Sequence, residues 1–103
     1  MQDYNVTLNK QRRSFRLRPF EELWNIKVVN TGACQATLNI VAFKLDDPQA
    51  HLVLCTTVAV GTFMQPDPGI WASLVNYQTQ AYIIEFALLE ADAEVRLELV
   101  LGN

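Results

Sequence analysis

Residues 94–101, Glu-Val-Arg-Leu-Glu-Leu-Val-Leu, decide the fold class, because apolar and charged side chains alternate along this stretch. In an extended chain, Val95, Leu97, Leu99 and Leu101 lie on one side and the charged residues lie on the other. A period of two residues is typical of a β-strand that buries one face and exposes the other. The C-terminal stretch therefore predicts a half-buried strand.

Seven other segments show the same period, or an apolar run of strand length. Turn-forming residues separate them, most clearly at 30–32, at 46–48 and in the proline-containing connection 61–69. No segment combines helical periodicity with helix caps, so we predict no helix. The eight predicted strands cover residues 4–8, 14–18, 24–28, 35–45, 51–60, 70–77, 81–89 and 94–101.

Eight short strands spaced by about ten residues are typical of an antiparallel β-sandwich. The sequence therefore predicts an all-β, single-domain sandwich, either a jelly roll or an immunoglobulin-like fold. Trp24 follows the alternation of its strand and is expected in the core. The connection 61–69 is expected to cross between the two sheets as a loop.

The composition describes one folded domain, which we place at residues 1–103. Half of the residues are hydrophobic and 18% are charged, which excludes an intrinsically disordered chain. No uncharged apolar run approaches the roughly 18 residues of a transmembrane helix, and we expect no membrane partner. Residues 1–14 lack the residue order of a secretory signal, so we expect synthesis in the cytoplasm, with a virion as a further destination.

Charge is distributed unevenly along the chain. Residues 1–18 carry five basic residues and one acidic residue, whereas residues 19–103 carry three basic and ten acidic residues. The resulting net charges of +4 and −7 mark residues 1–18 as a basic N-terminal arm or edge segment. Its candidate interface residues are Arg12, Arg13, Arg16 and Arg18.

Three interpretations of this basic segment remain open. Its arginines can be the charged outer face of an edge strand, where they oppose aggregation between edges. Alternatively, the segment lies on the acidic body of an identical neighbour and drives head-to-tail assembly. Contact with nucleic acid is the third interpretation, but the acidic remainder of the chain would repel phosphate, so we expect no nucleic-acid partner.

The residue types needed for catalysis are few and scattered. His51 is the one histidine, and Cys55 would share its strand face about 13 Å away, which excludes a local nucleophile–base pair. His51 is therefore expected to be a solvated polar residue. Ser14 and Ser73 do not stand in a Gly-x-Ser-x-Gly turn. Two cysteines and one histidine also fall short of a zinc site, so we expect no catalytic residues, cofactor or metal.

Three other polar features have structural interpretations. Cys34 and Cys55 are expected to be small buried side chains, with a single disulfide between neighbouring strands as the alternative. The loop acids, including Asp47 and Asp67, are expected to be solvated turn residues rather than calcium ligands. Glu85 interrupts an apolar strand, so we expect it to pair with an arginine or to face a subunit interface.

Large apolar side chains cluster around the connection 61–69. Phe63, Met64 and Trp71 are candidate interface residues, because interfaces are enriched in aromatic residues and methionine. In the alternative interpretation, Phe63 and Trp71 fold back and close the end of the sandwich. A third use is sugar stacking by Trp71 and Tyr77, assisted by the loop acids.

These features predict a non-enzymatic structural subunit that binds copies of itself or a larger protein assembly. A virion accessory protein, such as a capsid-decorating or tail subunit, fits this description by analogy of fold. The alternative is a small carbohydrate-binding or other ligand-recognition module.

Overall fold

Eight strands and one helix form the described part of the chain, residues 2–19 and 21–102, in a computed structural model. The single helix is α1 (Pro68–Thr79). The strands are β1 (Gln2–Leu8), β2 (Ser14–Leu17), β3 (Leu23–Asn30), β4 (Ala36–Lys44), β5 (Asp47–Val58), β6 (Phe63–Met64), β7 (Ile83–Leu88) and β8 (Val95–Leu101).

The strands form two antiparallel sheets of four. Sheet A has the order β1-β8-β3-β6, and sheet B has the order β2-β7-β4-β5. The first four strands thus pair with the last four in reverse order, β1 with β8, β2 with β7, β3 with β6 and β4 with β5. An immunoglobulin-like sandwich would instead pair its first two strands with each other. The predicted all-β sandwich is confirmed, and the strand order is that of a jelly roll.

The core lies between the sheets and follows the period of two residues. In β4, the four alternate residues from Ala36 to Ala42 are fully buried, and in β8 Val95, Leu97 and Leu99 are buried as well. Phe86 of β7 is the largest fully buried side chain. Burial of these alternating faces is the main stabilising contribution to the fold.

One predicted strand is a helix. Residues 70–77 lie within α1, so the prediction of a strand there, and of no helix in the chain, was wrong. Asp67 caps the helix, since its side chain accepts a hydrogen bond from the N–H of Ile70 at 2.8 Å. Pro68 occupies the first turn, where its missing N–H costs nothing. Leu74 then points into the core, and these local signals outweigh the strand preference of the neighbouring aromatic residues.

The connection 61–69 is not entirely a loop. Its residues Phe63 and Met64 form β6, which pairs with Val28 and Val29 at the edge of sheet A. Two residues are too few to show an alternating pattern, so the sequence could not reveal this strand. Eight strands were predicted and eight are present in the described residues, but β6 takes the place of the strand predicted at 70–77.

Trp24 is half exposed rather than in the core. The register between β3 and β8 shifts between Leu23 and Asn25, which is a β-bulge. Leu23 and Ile26 remain buried on either side of it. The additional residue in the bulge turns Trp24 outward, because a shift of one residue reverses the face of a strand side chain.

Candidate functional site

The predicted basic residues contact the protein's own body. The Arg13 guanidinium donates hydrogen bonds to the carbonyl oxygens of Leu88 and Leu89, at 2.9 and 2.6 Å. Arg16 pairs with Glu85 across β2 and β7 at 2.6 Å, which confirms the expectation that Glu85 meets an arginine.

The two remaining arginines also lie against neighbouring side chains. The Arg12 guanidinium lies 5.3 Å from the centre of the Phe15 ring, and Arg18 is 3.9 Å from the Glu21 carboxylate. The strand between them, β2, is an edge strand of sheet B. The structure therefore places the four arginines along this edge, where their charges discourage pairing with another edge.

The predicted loop residues lie on the opposite side of the sandwich. Phe63 is 57% exposed in edge strand β6, and the Lys27 ammonium lies 4.2 Å from its ring centre. Met64 packs against the core, and Trp71 of α1 is half-buried against it. Because β1 contacts β2 while β5 contacts β3, the β2 edge and the β6 edge are far apart. The seven predicted residues thus do not form one continuous site.

The two outer faces of the sandwich differ in polarity. The outer face of sheet A carries Asp3, Lys27, Arg96 and Glu98, around a groove of about 380 Å³ that is also lined by amide side chains. Charged and amide groups of this kind suit contact with water.

The outer face of sheet B carries apolar and uncharged polar side chains, and we call its outward-facing side chains the B face. The strand registers place Val41 beside Leu52, and Phe43 beside Ala50 and Ile83, which makes an apolar patch. The rest of the face includes Ser14, Thr37, Asn39 and Thr57. The Arg16–Glu85 ion pair lies beside this patch, and the Arg16 guanidinium lies over the Phe43 ring. Both charges of the pair are thereby neutralised within the face.

A second apolar feature combines two tryptophans that the sequence did not link. Trp24 of β3 and Trp71 of α1 together line a cavity of about 420 Å³, with Asn25, Gln65 and Pro66 among the other walls. They also line an adjoining depression of about 230 Å³, which ends at Glu22 and Val75. The bulge turns Trp24 outward and α1 carries Trp71, so both rings line the same depressions; the helix-start signal at Asp67 and Pro68 was missed.

An aromatic cluster closes the sandwich on the β5 side. The His51 ring stacks on Tyr77 with 5.8 Å between ring centres, and Tyr82 meets both rings edge-on. His51 pairs with Ala42 and faces inward, whereas Cys55 pairs with Asn39 and faces outward. The register shift in β5 separates their faces, so the expectations of a shared face and of a solvated histidine were both wrong.

Other polar side chains have structural roles. Cys34 is half-buried against the core, but Cys55 is exposed, which corrects the expectation that both are buried, and the two thiols are free. Asp67 caps α1, and Asp47 accepts a hydrogen bond from the N–H of Gln49. Within residues 2–19 and 21–102, no group of three or more histidine, cysteine or acidic side chains could hold a metal. The same residues contain no helix that is long and apolar enough to cross a membrane.

Glu90 is the acidic residue with a clearly shifted pKa. Partial burial alone would raise the pKa of Glu90, but hydrogen bonds from the Thr37 hydroxyl and N–H, at 2.6 and 2.7 Å, outweigh that effect. The charge of Arg13 acts in the same direction. The pKa of Glu90 is therefore held below its ordinary value near 4.5.

We expect Glu90→Gln to lower the free energy of unfolding at neutral pH. The difference from the wild type is expected to be smaller in acid. The stabilisation from a carboxylate with a lowered pKa is complete above the unfolded pKa, and it is lost as pH falls through the folded pKa. Urea unfolding of both proteins from pH 7 to pH 3 measures this difference. Asp92→Asn, an exposed change in the same connection, is the control. A difference for Glu90→Gln that grows on acidification would contradict the prediction.

Comparison of the chain with protein-family models, with curated protein sequences and with solved structures gives no match.

Proposed function

We propose that the protein is a non-enzymatic assembly subunit that associates with copies of itself through the B face. The observation that carries the proposal is the contrast between the two outer faces. Asp3, Lys27, Arg96 and Glu98 spread charge over the face of sheet A, whereas the B face has an apolar patch beside the Arg16–Glu85 ion pair. Exposed apolar patches rimmed by polar residues are characteristic of protein–protein contact. Interface cores are also depleted in charged residues.

The free edge of β5 supports the same proposal. This strand has 12 residues and is the outer member of sheet B. Residues 48–58 contain no Lys, Arg, Asp or Glu, although natural edge strands are usually protected by such charges. Leu52, in the middle of β5, is 61% exposed. A second copy that covers the B face also shields this edge.

The B face is small compared with the interfaces of stable complexes. With strands about 4.8 Å apart and about 3.3 Å per residue, four strands give a face of roughly 400 Å² in projection. A standard interface buries about 800 Å² on each partner. A face smaller than this suits a weak and reversible association, so we expect self-association to depend on protein concentration.

The dependence of self-association on salt concentration separates the contribution of the arginines from that of the B face. Head-to-tail contact between a basic arm and an acidic body would weaken as salt screens the charges. Association through the B face buries apolar surface, so it is expected to persist or strengthen in sulfate salts. Because Arg13 and Arg16 already make contacts within the chain, we expect association that persists or strengthens in salt.

Leu52→Asp tests the proposal. A carboxylate in the centre of an apolar contact is expected to weaken self-association at least about tenfold, which corresponds to ~1.4 kcal/mol. Sedimentation velocity over a range of protein concentrations measures the effect, at low and at high salt. Thr7→Asp places the same charge at an exposed strand position of sheet A and serves as the matched control. A wild-type protein that stays monomeric at all concentrations, or equal effects of the two variants, would sink the proposal.

Within this class we propose a virion accessory role, as a capsid-decorating or tail subunit. The support is fold analogy, because jelly rolls build viral capsid domains as well as lectin domains. Co-sedimentation of the protein with particles from its own source tests this role, and a protein found only in the particle-free fraction would contradict it.

A further inference from the structure

Trp24 is held outward in a defined position. It is 50% exposed, although its neighbours Leu23 and Ile26 are buried. The main chain at Gly102 lies against its ring, since a Cβ on Gly102 would be 2.4 Å from the Trp24 Nε1 atom. A hydrogen bond from the Gly102 N–H to the Glu22 carbonyl, at 2.7 Å, fixes that main chain. The ring is therefore supported from behind, which lowers the entropy cost of binding a ligand.

The cavity beside Trp24 has the dimensions of a ligand site. Its volume of about 420 Å³ falls within the range of roughly 300–1,000 Å³ that is usual for small-molecule pockets. The adjoining depression continues on the other side of the Trp24–Trp71 pair. Together they form an open groove whose floor is aromatic.

Polar side chains with unused hydrogen-bonding groups surround this floor. The Asn25 amide oxygen accepts a hydrogen bond from the N–H of Ile26, which leaves its NH₂ group for a ligand. The side chains of Gln65 and Glu22 make no hydrogen bond or ion pair within residues 2–19 and 21–102. The groove thus offers both donors and acceptors around an apolar platform.

We propose that the groove between Trp24 and Trp71 binds carbohydrate, with a pyranose ring stacked on Trp24. A pyranose with equatorial hydroxyls has an apolar C–H face that suits an indole ring. Its hydroxyls both donate and accept hydrogen bonds, so they can satisfy the amides of Asn25 and Gln65 and the carboxylate of Glu22. This activity goes beyond assembly through the B face, which lies on the other sheet.

A proline-rich peptide is another ligand class that aromatic grooves bind. Proline has no N–H, so such a peptide offers mainly carbonyl acceptors. The Glu22 carboxylate also only accepts hydrogen bonds, and it would be left without a donor beside such a ligand. The unused groups of the groove therefore favour a sugar.

Isothermal titration calorimetry with cellotetraose and chitotetraose tests the proposal, because both are β-1,4-linked and rich in equatorial substituents. We expect saturable binding of at least one, weakened at least about tenfold by Trp24→Ala and less by Gln65→Ala. Because Trp24 is half exposed, the far-UV circular dichroism of Trp24→Ala is expected to match that of the wild type. Tyr4→Ala, which removes a 40% exposed aromatic ring at the β1 edge, is the matched control and should bind normally.

Three results would overturn the proposal. They are the absence of binding to both oligosaccharides, binding that Trp24→Ala leaves unchanged, and Trp24-dependent binding of decaproline without binding of either sugar. The sedimentation of Trp24→Ala is expected to equal that of the wild type. Failure of sugar binding and failure of self-association are therefore distinguishable.

Discussion

Phe86→Ala is expected to lower the free energy of unfolding by about 3–5 kcal/mol. The ring is fully buried in β7, and its register neighbours are Phe15 of β2 and Ile40 of β4. The two sheets share one apolar core, so no other group of side chains can move in to fill the cavity that the ring leaves. A domain of this size has a total stability of about 5–15 kcal/mol, so the loss is a large fraction of it.

Urea unfolding followed by circular dichroism measures this change as a lower transition midpoint. Phe86→Leu keeps much of the volume and is expected to cost less than Phe86→Ala. Leu45→Ala is the matched control, because Leu45 is 82% exposed, and its effect should stay within about 0.5 kcal/mol. If Phe86→Ala changed stability as little as the control, the sheets would not pack as described.

Asn30→Ala is expected to lower the free energy of unfolding by about 2–3 kcal/mol. Asn30 is a buried polar residue at the end of β3, and its amide NH₂ donates to the carbonyl oxygens of Cys34 and Val58 at 2.9 and 2.8 Å. Its amide oxygen accepts from the N–H of Gly32 at 2.9 Å. Since Val58 belongs to sheet B, this side chain ties the two sheets together. Its removal leaves buried groups without partners.

The same urea experiment tests the role of the amide donors. Asn30→Asp keeps the shape but replaces the NH₂ group with an oxygen that faces two carbonyls, so at neutral pH we expect it to destabilise at least as much as Asn30→Ala. Asn76→Ala changes an exposed residue of α1 and should stay within about 0.5 kcal/mol. An Asn30→Asp protein as stable as the wild type would show that these hydrogen bonds contribute nothing.

The sequence predicted the features that depend on neighbouring residues. The two-residue alternation correctly assigned the buried face of β8, because adjacent side chains of a strand always point to opposite faces. An arginine partner was one of the two expectations for Glu85, and the ion pair with Arg16 confirms it. The helix was also within reach of the sequence. Asp67 and Pro68 are a helix-start signal that the strand preference of aromatic residues concealed.

The candidate sites depended on contacts that the sequence does not contain. The B face emerged because strand order fixed which apolar side of β4 and β5 faces outward. Trp24 and Trp71 line one groove because a bulge reverses one side chain and a helix presents the other. His51 was predicted to be solvated, yet it stacks on Tyr77, which residue spacing along β5 could not indicate.

By itself, then, the sequence determined an all-β sandwich and the buried face of its C-terminal strand, because alternation is a local property of an extended chain. Only the tertiary structure decided the jelly-roll order, the outward turn of Trp24 and the apolar outer face of sheet B. Each of these depends on hydrogen bonds between strands that are distant along the chain. Those bonds fix the register and the neighbours of every strand. The side chains that remain outside are the ones available for binding.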